Sequence, residues 1–308
     1  MGYNKGMTQT LGHTLLIVNP ASKMGEGAIA GEQAAALLRE AGVDLAVSET
    51  TAPLHAVELA AAAGEYDTVI ALGGDGVIHE AANGLMRIPA DKRPAFGIIP
   101  VGSGNDYART LGVSEDVITA CKQLLNSKKI LVDVGLCNGQ HFLETVSFGL
   151  DAAIALDTVE RRKHTKKTGN ALYLEAGLNQ LVFHRDMHDY TVAFDEESPV
   201  QGQSLIFALQ LGPTYGGGFR VCPQADPTDG LFDVCIAHPP LGLVRATKVF
   251  LSAKDGKHVG HKSIEMRQCS RAQVHFRHAV PAQMDGEDCT GTDFDVTLLP
   301  QALAVLFA

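Results

Sequence analysis

The chain has 308 residues, enough for one large domain or two ordinary ones, and its 45% hydrophobic and 19% charged residues exclude wholesale disorder. A formal net charge of -10 speaks against a nucleic-acid binder, which needs an electropositive footprint. Cys121, Cys137, Cys222, Cys235, Cys269 and Cys289 lie far apart with no Cys-x-x-Cys among them, which argues against a zinc site or a compact disulfide framework.

Residues 1–13 are polar and Gly-containing, without the apolar core of a signal peptide. Nowhere is there an uninterrupted apolar run of the roughly 18 residues that a spanning helix needs. The expectation is a soluble, cytoplasmic protein. Residues 15–18 form a short β-prone run, followed by a turn containing Asn19, Pro20, Gly25 and Gly27. Residues 28–40 read as a helix closed by Gly42, residues 43–49 as a strand and 54–63 as a helix ending at Gly64. A third strand, 68–72, runs into a glycine cluster, and a fourth, 97–99, is stopped by Pro100. Short strands alternating with helices predict βαβ units and a parallel sheet with helices on both faces.

From about Val132 the grammar changes. Short β-prone runs at 142–148, 190–194, 205–211, 231–236, 273–276 and 294–299 are separated by Gly, Pro and Asp, with one helical stretch at 172–183. That pattern predicts an antiparallel β-sandwich. The predicted organisation is a Rossmann-like nucleotide domain over 1–131 and a β-sandwich substrate domain over 132–308. The last few residues have the option of returning to the first domain.

Glycine-rich turns follow the first, third and fourth strands: Asn19-Pro-Ala-Ser-Lys-Met-Gly25-Glu-Gly27, Gly73-Gly74-Asp75-Gly76, and Pro100-Val-Gly102-Ser103-Gly104-Asn105-Asp106. Without a Cβ the backbone can come close to a ligand, and helix N-termini add free N–H groups that suit a phosphate. Each turn alone is also what any tight strand-to-helix connection looks like. Neither the P-loop pattern nor Gly-x-Gly-x-x-Gly occurs. Asp75 suits either a Mg²⁺ ion near phosphates or a helix N-cap. Among the scattered histidines, His79 follows the second loop.

The second half carries two acidic turns. Asp226-Pro-Thr-Asp229-Gly-Leu231-Phe-Asp233 suits a hard cation or a solvated Asp-Gly turn. Met284-Asp285-Gly286-Glu287-Asp288 suits a general base for an attacking hydroxyl, or a plain acidic hairpin tip. Arg161-Arg162-Lys163-His-Thr-Lys166-Lys167 concentrates five full positive charges in an acidic chain. It is either a solvated face or a docking patch for anionic lipid, worth roughly 1 kcal/mol per basic residue, with Lys23 a possible helper.

The trio Asn19-Pro-x-Ser, Gly73-Gly74-Asp75-Gly76 and Pro100-x-Gly-x-x-Asn105-Asp106, in that order, resembles the catalytic domain of the diacylglycerol kinase family, its soluble bacterial lipid kinases in particular. Gly-Gly-Asp-Gly alone also resembles NAD kinases and phosphofructokinases. The resemblance implies an ATP- and Mg²⁺-dependent lipid kinase. Asn19, Thr50, Gly73, Gly74, Gly76, Val77, Ser103 and Asn105 would line the ATP site. Glu287 and Asp285 would form the catalytic pair, Glu287 as the candidate proton acceptor and Asp285 orienting it or binding metal, and Asp75 is the candidate to hold the catalytic Mg²⁺ near the phosphates. A structural Mg²⁺ would sit on Asp226, Asp229 and the Leu231 carbonyl. Two departures stand out: Val77 replaces the family's usual Thr, and Lys23 stands where glycine is common. Diacylglycerol is the expected acceptor, with sphingoid bases, ceramide, phosphatidylglycerol and NAD as alternatives, and an idle lipid- or nucleotide-binding protein as the reading from another class. The expected place of action is the cytoplasmic face of a membrane that the chain does not span. The resemblance is compatible with a homodimer.

Overall fold

The computed structural model describes residues 11–162, 170–240 and 242–307. In chain order the elements are β1 (His13–Val18), α1 (Ser22–Glu40), β2 (Asp44–Glu49), α2 (His55–Ala61), β3 (Thr68–Gly73), α3 (Asp75–Leu85), β4 (Ala95–Pro100), α4 (Asp106–Thr110), α5 (Val117–Leu125), β5 (Lys128–Cys137), β6 (Gln140–Phe142), β7 (Thr145–Gly149), α6 (Leu150–Arg162), α7 (Asn170–Phe183), β8 (His188–Phe194), β9 (Val200–Ser204), β10 (Ile206–Gln210), β11 (Phe232–Ala237), α8 (Leu243–Ala253), β12 (Ile264–Cys269), β13 (Arg271–Val280), β14 (Ala282–Met284), β15 (Glu287–Asp288) and β16 (Gly291–Phe307). Two compact units result: the chain up to Val132 with the segment from Gln301, and Asp133–Pro300.

In the first unit β2, β1, β3 and β4 lie side by side in parallel register, and the end of β16 joins beyond β4 with Val305 opposite Phe96. Every residue of β3 and β4 is buried, as expected for strands covered on both faces by helices. Arg93 ties the returning segment down. Its guanidinium donates to the Ala302 carbonyl and to the carbonyls of Leu85 and Ile88 at the end of α3.

The second unit is a sandwich of antiparallel sheets. One carries β16, β13, β8 and β9 in that order, and the other β12, β11, β10, β7, β14 and β15. β13 alternates exposed and buried residues, so one face packs inward. Between the sheets lies an aromatic core in which Phe148 meets Phe207, Phe276 and Phe294. β11 is buried on both faces instead, because α6, α7 and α8 cover the outside of its sheet through Leu150, Ile154, Tyr173, Leu181, Ala246 and Phe250. The local sequence pattern points to only one helix in this half. The structure adds α6 and α8, and the run 142–148 is two strands rather than one. Among the described residues no helix is long and apolar enough to cross a membrane.

Candidate functional site

The three glycine loops of the first unit emerge at adjacent strand ends and pack on one another. Asn19 begins the first. Its N–H donates to Leu72 O (3.0 Å), its Oδ1 accepts from Ala21 N–H (3.1 Å), and its carbonyl accepts from Ser22 N–H (3.2 Å). Thr50 N–H donates to Val18 O (2.8 Å), which sets Thr50 beside Asn19. Lys23, Met24 and Gly25 all have left-handed backbone (φ 47°, 60° and 98°), so the regular part of α1 starts only after them. Two of these residues carry side chains in a conformation that favours glycine, a strain of roughly 1–2 kcal/mol each. The departure at Lys23 is therefore a departure in backbone comfort, while its side chain pairs with Glu26 at 2.9 Å.

Glycine is sterically required at three contacts here. A Cβ on Gly27 would stand 2.1 Å from Asn19 O, one on Gly73 would stand 2.3 Å from Val77 Cγ1, and one on Gly102 would stand 2.6 Å from Gly74 Cα. The second and third loops thus touch backbone to backbone, while the first is tied to the end of β3 through the Asn19 N–H. Val77 is buried with its side chain against Gly73, so this position packs the loop and what it offers a ligand is its backbone. Gly74 occupies the N-cap of α3, and Asp75 is the first helical residue. The Asp75 carboxylate reaches across instead: Oδ2 accepts from Asn105 N–H and Oδ1 from Asp106 N–H, both at 2.9 Å. Asp75 therefore ties the second loop to the third, neither capping its own helix nor standing wholly open to a cation.

Asn105 has left-handed backbone (φ 52°), and its Nδ2 donates to Gly102 O at 3.2 Å. Its Oδ1 is buried and has no partner. Arg109 steadies this loop through Asp106 Oδ1 (2.7 Å) and Gly104 O (3.0 Å). Ser103 is half-buried in the same turn. Beside the first and third loops lies a cleft of about 240 Å³ whose walls include Lys23, Glu26, Val101, Gly102 and Asn105. His79, in α3, is paired with Asn83 at 3.2 Å.

The second unit holds the other predicted residues. Asp285 and Gly286, both left-handed (φ 48° and 94°), form the two-residue turn between β14 and β15, and Met284 pairs with Glu287 across it. Asp-Gly is what a type I′ hairpin turn favours. The Asp285 carboxylate accepts three backbone amides: Leu143 N–H at Oδ2 (2.8 Å), and Glu144 and Thr145 N–H at Oδ1 (both 3.0 Å). Glu287 is exposed. Of the expected pair, Asp285 is thus held on backbone amides and Glu287 is the accessible carboxylate.

Two residues unnoticed in the sequence, Gln283 and Ser147, support this turn. Gln283 Oε1 accepts from Gly286 N–H (2.7 Å) and its Nε2 donates to Ser147 Oγ (2.8 Å). Nearby on α6, Asp151 is fully buried, with Tyr215 OH donating to its Oδ2. Burial pushes its carboxyl up to about 6, although Tyr215 and Ser147 favour the charged form. Nothing in the sequence around Asp151 marks it, because it reads as one more helix residue.

In the other acidic turn, Asp226 Oδ1 accepts from Thr228 N–H (3.0 Å) and Asp229 Oδ1 from Leu231 N–H (3.0 Å). Asp133, absent from the sequence reading, accepts Gly230 N–H at 2.7 Å. The Asp229 carboxyl is raised, first by burial and then by the charges of Asp226 and Asp133. A divalent cation would relieve that crowding. Among the described residues, however, no three His, Cys, Asp or Glu side chains are placed to hold a metal. Of the basic run, Lys163, Lys166 and Lys167 lie outside the described residues, and Arg161 pairs with Asp157 at 2.8 Å.

Residues 13–137 match the family described as "Diacylglycerol kinase catalytic domain", and residues 144–307 the "YegS C-terminal NAD kinase beta sandwich-like domain". The chain is 31% identical over 251 residues to the "Diacylglycerol kinase" of Bacillus subtilis (strain 168), covering 80% of each protein. It is 32% identical over 275 residues to a Chromohalobacter salexigens protein named "Probable lipid kinase YegS-like", covering 89% of this chain and 87% of that one. A crystal structure of a diacylglycerol kinase from Bacillus anthracis str. Sterne shares the fold, with TM-score 0.81 over 97% of this chain and 98% of that one at 24% identity. With both units matched and two such relatives, the chain belongs to the diacylglycerol kinase and YegS-like family of lipid kinases.

Proposed function

We propose that the protein transfers the γ-phosphoryl group of ATP to the hydroxyl of a membrane lipid, with diacylglycerol, giving phosphatidic acid, as the first acceptor to test. The observation that carries this reading is the cradle of three glycine loops, the second and third touching backbone to backbone at Gly74 and Gly102, beside a cleft lined by Gly102 and by Asn105, whose buried Oδ1 has no partner. That arrangement suits a nucleotide: close backbone for phosphates, the N-terminus of α3 for negative charge, and an amide oxygen for a base or ribose donor. Asn19, Thr50, Gly73, Gly74, Gly76, Val77, Ser103 and Asn105 would hold it. Bound ATP supplies the activated phosphoryl group.

In the transfer the lipid oxygen bonds to the γ-phosphorus as the bond to the β,γ-bridging oxygen breaks, and ADP leaves. The proton of the lipid hydroxyl passes to Glu287, the accessible carboxylate of the hairpin, while Asp285 holds the turn. Mg²⁺ belongs to this reading by the chemistry of its donors. Asp75, fixed by two amides between the second and third loops, would be the candidate ligand of a catalytic ion. Asp226, Asp229 and the Leu231 carbonyl are the candidate set for a second, structural ion.

Access to a bilayer is part of the proposal. α8 exposes Leu243, Val244 and Leu251 together with Arg245 and Lys248, a mixture suited to the headgroup boundary of an anionic surface. The run Arg161 to Lys167 would add to it.

The test is ³²P transfer from Mg·ATP to a mixed bacterial lipid extract in detergent micelles, resolved by thin-layer chromatography. A labelled lipid spot is expected, and its mobility names the acceptor. Glu287→Gln should lower turnover about 10²-fold or more and leave ATP affinity unchanged. Wild-type protein that binds ATP yet labels no lipid overturns the reading.

A further inference from the structure

We propose that Gln283 is a positioning residue for phosphoryl transfer: its amide bridges Gly286 at the hairpin tip to Ser147 in β7 and so fixes the turn that presents Glu287. The inference rests on the kinase reading above.

β15 has only two residues and forms the edge of its sheet, with Glu287 and Asp288 exposed. A turn of this type fixes its own shape, but the direction in which an edge hairpin leans depends on side chains that reach back into the sheet. Two do so. Asp285 is anchored on the amides of residues 143–145. Gln283 holds the next residue, accepting Gly286 N–H at 2.7 Å while donating to Ser147 Oγ at 2.8 Å.

Both Gln283 and Ser147 are fully buried, and they face each other across β14 and β7. Along the same cross-strand row the next positions are Ala208 and Cys235, small, buried and largely apolar. A residue needed only to fill space on this row would be apolar, because burying an amide is unfavourable unless both of its ends are paired. Here both are, and the pairing sets the amide's orientation: Gly286 N–H demands an acceptor, which leaves Nε2 to donate. Ser147 in turn adjoins the buried Asp151 and Tyr215 pair, so the hairpin tip is linked to the start of α6 rather than to the edge strand alone. Glu287 follows Gly286 directly. Loss of the Gly286 bond frees the peptide that carries the proposed base, and misplacement by an ångström lowers a transfer rate by up to about 10²-fold.

The experiment compares wild type with Gln283→Met, Gln283→Glu and Ser147→Ala. It measures kcat with lipid, KM for Mg·ATP, hydrogen exchange over residues 284–290 and thermal midpoint. Gln283→Met is expected to lower kcat about ten- to hundredfold with KM for ATP within twofold, and to quicken exchange at Gly286. Gln283→Glu keeps an acceptor for Gly286 N–H and takes a hydrogen bond from the Ser147 hydroxyl, so it should recover kcat to within about threefold of wild type. Ser147→Ala leaves the Gly286 bond in place and should fall between the two. A Met variant with wild-type kcat and exchange, changed only in thermal midpoint, overturns the proposal, as does a Glu variant no better than Met. Should the wild type itself transfer no phosphate to lipid, the kinase reading fails and this inference with it, a result distinct from an active wild type matched by an equally active Met variant.

Discussion

Gly27→Ala sets two physical effects of opposite sign against each other. Gly27 is buried in α1 without a left-handed φ, so helix propensity alone predicts a gain of about 1 kcal/mol on adding a methyl group. The new Cβ, however, would lie 2.1 Å from Asn19 O, with Asn19 C and Ser22 Cβ each at 3.1 Å. Restoring even a tight contact of 3.0 Å requires a movement of about 0.9 Å, and the obstacle is backbone rather than a side-chain tip. Asn19 is not free to yield, since its N–H is bonded to Leu72 O and its carbonyl to Ser22 N–H. Overpacking against a fixed group costs about 3 kcal/mol at the upper end of the usual range. The expected net effect is a loss of about 2 kcal/mol, with nucleotide affinity falling about tenfold because the first loop moves with Asn19.

The chain has no Trp, so unfolding in urea is followed by far-UV circular dichroism, and affinity by titration with a fluorescent ADP analogue. Ala28→Gly, on the same helix and half-exposed, is the control. It should lose about 1 kcal/mol by propensity and leave affinity unchanged. A Gly27→Ala protein that is more stable than wild type and binds the analogue equally well would refute the steric argument.

Asp285→Asn keeps the shape of the side chain but turns one acceptor oxygen into a donor. With the amide oxygen kept toward Glu144 and Thr145, Leu143 N–H faces an NH₂ group. A loss of about 1.5–3 kcal/mol is expected in denaturation, with faster hydrogen exchange over residues 143–145, and protection equal to wild type there would contradict the anchor. Asp151 makes stability depend on pH. Its carboxyl is raised from the ordinary 3.8 to about 6, so the folded state holds the proton more tightly and the group's stabilising contribution is complete below pH 3.8. That contribution is lost as pH rises through about 6, about 3 kcal/mol in all. Relative to Asp151→Asn, wild type should therefore weaken between pH 4 and pH 7 in urea titrations, and a gap that stays constant over that range would show that the carboxyl is not raised.

Much of the architecture follows from local pattern. The apolar runs of β3 and β4, closed by glycine clusters, specify buried parallel strands and the loops after them, and Asp285-Gly286 specifies a hairpin turn. α6 and α8 escaped because outward apolar residues such as Val159, Val244 and Leu251 blur the helical stripe, although Ala246, Phe250 and Ala253 keep its spacing. The local pattern shows only 294–299 of the last strand, whereas β16 runs from Gly291 to Phe307 through a left-handed Gln301 (φ 50°). The sequence by itself marked the candidate side chains for chemistry: Asp75, Asp285, Glu287 and the glycines of the three loops. Only the tertiary structure decided what each does. Asp75 meets amides 30 and 31 residues away, Asp285 meets amides 140 to 142 residues away, and Gln283 finds Ser147 136 residues away. A carboxylate's role is set by the groups that reach it, and chain closure brings those groups from positions that no local period or turn preference records.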